Sequence, residues 1–273
     1  MPNLVVGDRI FSDNFEYKDK SIPQTILGFG PFIAEPYYGH RFRLYQIDLK
    51  DNPQAIADII IESYNQGVRA INLFNDETLL KAYDIAVENG CDMKVIATIG
   101  KSDVDYLNPN YEIAREVDWD DDIELFAGYD CPLMLIDEFI VDGYDWNLTS
   151  KILSRINDSG SLSGLITAFP SSTTDLIKEN LDLDLFDFYM IPLNAISYMM
   201  DISAFKVSEW DEFKNKIVSL NKKIIATRVL AAGVLKPKEA FMFYQKADYV
   251  DIITIGVASV DEAKEDFSML KEY

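Results

Sequence analysis

The sequence predicts an α/β protein, a (β/α)8 TIM barrel, from three observations. First, short β-branched runs without polar alternation recur along the chain, as in Ile224-Ile-Ala-Thr-Arg-Val229 and Asp251-Ile-Ile-Thr-Ile255. Such runs fit strands buried on both faces. Second, each run leads through a turn into a segment with helical spacing, and eight strand–helix pairs alternate strictly. Third, the series spans about 250 residues, the usual length of such a barrel. A doubly wound sheet is the competing fold. It calls for a glycine fingerprint running from an early strand straight into a helix, whereas Gly28-Phe-Gly30 enters a long loop over 31–51. With no linker or shift in composition, 1–273 reads as one domain, with 1–23 as a cap and 24–273 as the barrel.

The elements follow in order. Residues Val5 to Arg9 read as a short N-terminal hairpin turning at Gly7-Asp8. Thr25 to Gly30 is the first barrel strand. Asn52-Pro53 opens a helix as cap and first residue, and Gly67 closes it. Arg69 to Phe74 is the second strand, with a helix from Asn75-Asp76 to Asn89-Gly90. Met93 to Ile99 is the third, followed by a helix around Trp119, Ile123 and Phe126. Pro132 to Asp137 is the fourth, and its helix carries Leu148, Ile152 and Ile156. Leu162 to Thr167 is the fifth, with Ser172-Thr-Thr-Asp175 opening the next helix like a capping box. Asp187 to Ile191 is the sixth, and Ser208-Glu-Trp-Asp211 opens its helix. Lys223 to Val229 is the seventh, with a helix from Pro237. Asp251 to Ile255 is the eighth, and Ser259-Val-Asp-Glu262 caps the last helix.

With 46 acidic against 25 basic residues the net charge is -21, a field that repels phosphate backbones and argues against nucleic acid. No apolar run reaches the ~18 residues of a membrane span and no signal peptide is evident, so the expectation is a cytoplasmic protein without a membrane partner. Cys91 and Cys131 flank strands in apolar surroundings and read as buried thiols.

In a barrel, chemistry sits at the C-terminal ends of the strands. The polar residues there include Asn72 and Glu77 after the second strand, Lys101 after the third, Asp137-Glu138 at the fourth, Asn194 after the sixth, Arg228 at the seventh and Ser259 after the eighth. Two carboxylates closing the apolar run Leu133-Met-Leu-Ile136 are the most informative. Strand alternation places one of them in the mouth and the other outside. An inward Asp137 needs a cation, Arg228 or Lys101. The structural reading is an Asp137–Arg228 pair closing the barrel, and the functional one is a general acid/base or a ligand for a divalent metal. Gly233, Gly256 and the helix opened by Ser259 could offer amides to a phosphate, with Arg228 as a second anchor. Alternatively Ser259 only caps and Gly256 only turns. The loop Glu35 to Tyr45 carries the single histidine, His40, with Arg41 and Arg43. It reads as a lid over an anionic ligand or as a packed hairpin.

Several of these segments, in order, resemble the aldo/keto reductases: Thr25 to Gly30, Gly67-Val-Arg-Ala-Ile-Asn72, Ile191-Pro-Leu-Asn194, Ile224 to Leu235 and Asp251 to Glu262. The resemblance implies a barrel that reduces carbonyls with NAD(P), using Asp, Tyr, Lys and His. Carried across, the Asp falls on Asn72, the Tyr near Glu77, the Lys on or near Ile99 and the His on Asp137. The aromatic that stacks on nicotinamide falls on Thr227, and no base from Gly256 to Ala263 is placed for a 2′-phosphate. None of the four is kept, and Lys101 stands two residues late. The sequence therefore predicts the reductase scaffold with a rebuilt mouth, acting on or binding a small anionic or phosphorylated metabolite by acid–base or metal-assisted chemistry. Asp137 is the base or metal ligand, Asn72 and Glu77 are its polar partners, and Arg228, Ser259, Gly256, Gly233, Asn194, His40 and Arg43 hold the ligand, while Lys101 is the displaced catalytic group that a reductase reading would use. The alternatives are an NAD(P)-dependent oxidoreductase with displaced catalytic groups and a binding or assembly protein without catalysis.

Overall fold

The computed structural model describes residues 13–104, 109–203 and 207–273. Among these residues ten strands are present: β1 (Asn14–Tyr17), β2 (Lys20–Pro23), β3 (Thr25–Leu27), β4 (Ala70–Leu73), β5 (Lys94–Ile99), β6 (Leu133–Ile136), β7 (Leu162–Ile166), β8 (Phe188–Pro192), β9 (Lys223–Thr227) and β10 (Ile252–Ile255). Strands β3 to β10 close a barrel in which every neighbour is parallel and β10 returns to β3. The helices that return the chain are α2 (Pro53–Asn65), α3 (Glu77–Glu88), α5 (Trp119–Phe126), α7 (Trp146–Asp158), α8 (Pro170–Asn180), α9 (Val207–Val218), α10 (Pro237–Tyr244) and α11 (Val260–Leu270). Three shorter helices, α1 (Phe42–Asp48), α4 (Tyr111–Arg115) and α6 (Glu138–Val141), lie in the loops between them. Among the described residues, no helix is long and apolar enough to cross a membrane.

The hairpin at the N-terminus is β1–β2, with Asn14 opposite Pro23. The expected hairpin at Val5 to Arg9 lies outside the described residues. Phe15 and Tyr17 of β1 pack under the barrel floor, where Tyr17 meets Phe188 edge-on at 5.4 Å.

Local chemistry sets most helix starts. Asn52, Asp76, Asp145 and Ser259 each accept a backbone N–H of their helix's first turn. Two expected starts need correction. Helix α8 begins at Pro170, not Ser172, because proline's fixed φ suits the first helical position. The amides of Ser171 and Ser172 instead reach the carboxylate of Asp201, at 2.9 and 2.8 Å, from the loop after β8. Helix α9 begins at Val207, so Ser208 lies inside it.

Side chains alternate along each strand. The inward series forms an apolar floor of Ile26, Ala70, Ile96, Leu133, Leu135, Leu162, Ile166, Phe188, Met190, Ile225 and Ile252. One step further along the same phase come Gly28, Asn72, Thr98, Asp137, Thr227 and Thr254, which line a cavity at the C-terminal end. The barrel is thus sealed by oil below and polar above.

Gly164 is needed inside this ring. A β-carbon there would stand 2.6 Å from both Leu135 Cδ2 and Phe188 O, the second being backbone that cannot give way cheaply. Gly164→Ala should lower unfolding free energy by about 1–3 kcal/mol through overpacking, read by urea denaturation.

Candidate active site

The cavity in the barrel mouth holds about 70 Å³ and is walled by that polar layer together with Glu35, Tyr37, Lys101, Glu138 and Arg228. It adjoins a cleft of about 240 Å³ that runs outward over the ends of β9 and β10. Gly28, Gly30, Tyr37, Thr227, Arg228 and Thr254 line both spaces.

Strand β6 ends at Ile136, and Asp137 caps the short helix α6 by accepting the N–H of Phe139 at 3.0 Å. That turn corrects the expectation that one carboxylate faces in and the other out. Alternation stops where the helix begins, and Asp137 and Glu138 are both buried and both line the cavity. The expected Asp137–Arg228 pair is likewise replaced. Arg228 Nη2 reaches Glu138 at 3.1 and 2.9 Å from its two oxygens, while Asp137 faces Lys101 at 4.0 Å. Lys101 Nζ also meets Glu35 at 3.0 Å.

Lys101 comes two residues after the end of β5. The intervening Gly100 has φ 76°, so the chain bends and returns the lysine to the mouth. A β-carbon at Gly100 would stand 2.3 Å from Ile140 Cδ1. Arg228 itself is left-handed at φ 56°, an uncommon conformation for a long side chain that is often found at functional sites. Its guanidinium lies 5.3 Å from the centre of the Tyr37 ring. Asn72 Nδ2 donates to Ile96 O at 2.7 Å and Thr98 Oγ1 at 3.0 Å.

Burial pushes the Asp137 carboxyl up to about 7, with Lys101 pulling it down and Glu138 adding to the rise. Burial works against the Lys101 ammonium, but Glu35, Asp137 and Glu138 outweigh it and hold the lysine protonated. Asp137 therefore stands near its midpoint at neutral pH beside a fixed positive charge. Among the described residues, no group of three or more His, Cys, Asp or Glu side chains is placed to hold a metal ion.

The loop expected as a lid or hairpin is helical, a 3₁₀ turn over Pro36–Arg41 running into α1. From it Tyr37 enters the mouth and Arg41 enters the outer cleft, where its Nη2 lies 3.4 Å from Gly233 O and its Nη1 3.6 Å from Glu262. His40 and Arg43 are exposed and line neither space, and the same holds for Glu77 at the start of α3. Gly233 and Gly256 line the outer cleft. Of the amides expected there for a phosphate, Gly233 N donates to Leu230 O at 2.9 Å and Glu262 N to Ser259 Oγ at 3.1 Å, and beside them Ala258 N donates to Glu262 at 2.8 Å. Glu262, Glu265 and Asp266 also line that cleft, and burial, with Glu262 and Glu265 adding to it, pushes Asp266 up to about 7. Asn194 is buried and organises the loop after β8, exchanging hydrogen bonds with the backbone of Tyr198 at 2.8 and 3.0 Å.

The structure thus gathers Asn72, Lys101, Asp137 and Arg228 in one cavity. It adds Glu35, Tyr37, Thr254 and, in the outer cleft, Arg41. Thr254 was findable from phase, being the inward residue two beyond Ile252. Glu35 and Tyr37 carried no such signal, because they come from an irregular loop.

No protein-family model matches the chain, and no curated protein matches it by sequence. Solved structures share its fold. PA4992 of Pseudomonas aeruginosa, named as a candidate aldo-keto reductase, superposes with a TM-score of 0.62 at 13% identity over 98% of each chain. An aldo/keto reductase of Brucella melitensis gives 0.57 at 16% identity over 94% of this chain and 92% of its own. A Gox0644 variant in complex with NADPH gives 0.58 at 12% identity, over 93% and 86%.

Two stability predictions follow from the charges. Glu138→Gln should cost about 3–5 kcal/mol by stranding Arg228, and Glu138→Leu with Arg228→Met should recover most of it, read by chemical denaturation. The second concerns pH. Asp137 binds its proton more tightly folded than unfolded, where its pKa is about 4. Its contribution is complete below that value and is lost as pH rises through about 7. The wild type should lose stability from pH 5 to 8, and Asp137→Asn should lose less over the same range. The slope remaining in the variant belongs to Asp142 and Asp266, both also raised to about 7. An equal slope in wild type and variant would contradict the assignment.

Proposed function

We propose that the chain is an acid–base catalyst of a small, oxygen-bearing metabolite, with Asp137 as the proton-transferring group. The observation that carries this reading is the Asp137 carboxyl itself, buried, lining the cavity, raised to about 7 and 4.0 Å from Lys101. A group poised near the working pH is an efficient proton carrier in either direction. As carboxylate, Asp137 takes a proton from a substrate carbon next to a carbonyl. The C–H electron pair moves into the new C=C bond, and the carbonyl pair moves onto oxygen, where the Lys101 ammonium stabilises the negative charge. Protonated Asp137 then returns the proton to that carbon as the enolate oxygen pair re-forms the carbonyl, with no net change in oxidation state. Asn72 and Tyr37 shape the wall.

A second reading, an NAD(P)-dependent oxidoreductase, is supported by the outer cleft opening onto the acid–base cavity, and by a fold neighbour that was solved with NADPH. Glu262, Glu265 and Asp266 in that cleft would oppose the phosphates. Micromolar binding of NADPH or NADH in a fluorescence titration would favour this reading.

The proton-transfer reading is tested by incubating the protein in D2O with small hydroxy-aldehydes and hydroxy-ketones and following C–H signals by NMR. Exchange should rise with pH through about 7 as Asp137 loses its proton. Asp137→Asn should slow it by about 10²–10⁴-fold. Unchanged exchange in that variant, or none across the panel, overturns the assignment.

A further inference from the structure

The outer cleft carries a buried carboxyl that the inner cavity does not use. Asp266 lies on α11, is only 6% exposed and lines the cleft over the ends of β9 and β10. Among the described residues no donor and no cation pairs with it: the charges that act on it are Glu262 and Glu265 of its own helix, which raise its proton affinity, and Arg41, which lowers it from a distance. Its oxygens are not sealed in the protein either. The polar side-chain atoms that are closed to solvent and lack a partner belong to Ser102, Arg115, Asp120, Ser197 and Thr254. The Asp266 carboxyl therefore opens onto the cleft that it lines.

The cations of the cleft are placed elsewhere. Arg41 lies 3.6 Å from Glu262 and 3.4 Å from Gly233 O, and Arg228 faces both oxygens of Glu138. Lys236 and Glu265 stand at the exposed rim, where water and salt screen them. A buried carboxylate without a counter-ion is costly, so it either keeps its proton or takes up a cation. The wall around Asp266 suits the cation. Tyr38 and Tyr45 line the same cleft, edge-on to each other at 5.0 Å, with Leu230 and Leu235 beyond them. Aromatic and aliphatic side chains beside a carboxylate receive an ammonium group together with its carbon body. Among the described residues no cluster of acidic, histidine or cysteine side chains is placed for a metal ion, so the wall favours an organic cation over a metal. The volume of about 240 Å³, set against the ~150 Å³ that admits benzene, accommodates a small one.

We infer that the outer cleft binds a small organic cation, an alkylammonium or quaternary ammonium group, with Asp266 as its counter-ion and Tyr38 and Tyr45 against its carbon body. The inference stands apart from the proton-transfer reading, which concerns the inner cavity. It also departs from the phosphate that the sequence leads one to expect after the seventh and eighth strands.

The test is isothermal titration of the full chain with choline and butylamine as cations, dimethylbutanol as the neutral carbon analogue of choline, and butyrate as an anion. Choline should bind about tenfold or more tightly than its neutral analogue. Choline is charged at every pH, so any pH dependence belongs to the protein, and its affinity should rise from pH 6 to 8 as Asp266 loses its proton through about 7. Asp266→Asn should remove the preference for choline over the alcohol, while its melting temperature at pH 8 holds or rises, because the amide replaces a charge that burial disfavours. A purely structural aspartate would give the opposite pair of results, lost stability with the preference kept. In the wild type, saturating choline should lower the proton affinity of the Asp266 carboxyl followed by carbon NMR, a readout that does not depend on the variant's folding. Equal binding of choline and the alcohol overturns the inference, as does tighter binding of butyrate than of choline. So does an unchanged preference in Asp266→Asn, or an Asp266 carboxyl that choline leaves unmoved.

Discussion

The buried pair between Arg228 and Glu138 constrains the whole upper half of the barrel. Neither charge is tolerable there alone, so the chain must bring both to one point. Glu138 arrives because β6 stops at Ile136 and the backbone turns into α6. Arg228 arrives because its own backbone turns left-handed, at φ 56°, directly after β9. Such a conformation costs of order 1–3 kcal/mol and persists only where its surroundings enforce it. Tyr37 lies over the guanidinium, its carbonyl takes the Tyr198 hydroxyl, and Asn194 fixes Tyr198. The loops after β3, β6, β8 and β9 are therefore tied together through a single ion pair.

The same network explains why Asp137 keeps its unusual proton affinity. Arg228 is occupied by Glu138, and Lys101 is shared with Glu35. Asp137 is left with half a cation at 4.0 Å, too little to offset burial. Had Arg228 paired with Asp137, that carboxylate would be an inert salt-bridge partner. Which of two adjacent acids reaches the arginine decides which of them keeps a raised proton affinity.

The barrel was legible because its signals are local and periodic. Inward phase along β4, β6 and β10 runs from Ala70 to Asn72, from Leu135 to Asp137 and from Ile252 to Thr254, and each step is visible in the sequence. The reductase resemblance placed Asn72 and Asp137 at two of these inward positions, although the residues themselves differ from the family's. What was not legible depends on where a period ends. Alternation assigned Asp137 and Glu138 to opposite sides, and a capped helix brought both inside. Lys101 looked misplaced by two residues until the left-handed turn at Gly100 returned it. Glu35, Tyr37 and Arg41 come from a 3₁₀ segment with no period to read.

The polar layer also separates what the scaffold shares from what the mouth can do. Barrels superpose when their floors and helix shells match, and those are built from interchangeable aliphatic side chains. Chemistry depends on the few groups left after the layer has satisfied itself. Here the ions neutralise one another, the amides of Ala258 and Glu262 are engaged, and Asn72 has committed its donors. What remains is a carboxyl near its midpoint, that of Asp137. The proton-transfer reading proposed above rests on that one group, whose proton affinity the surrounding ion pairs set.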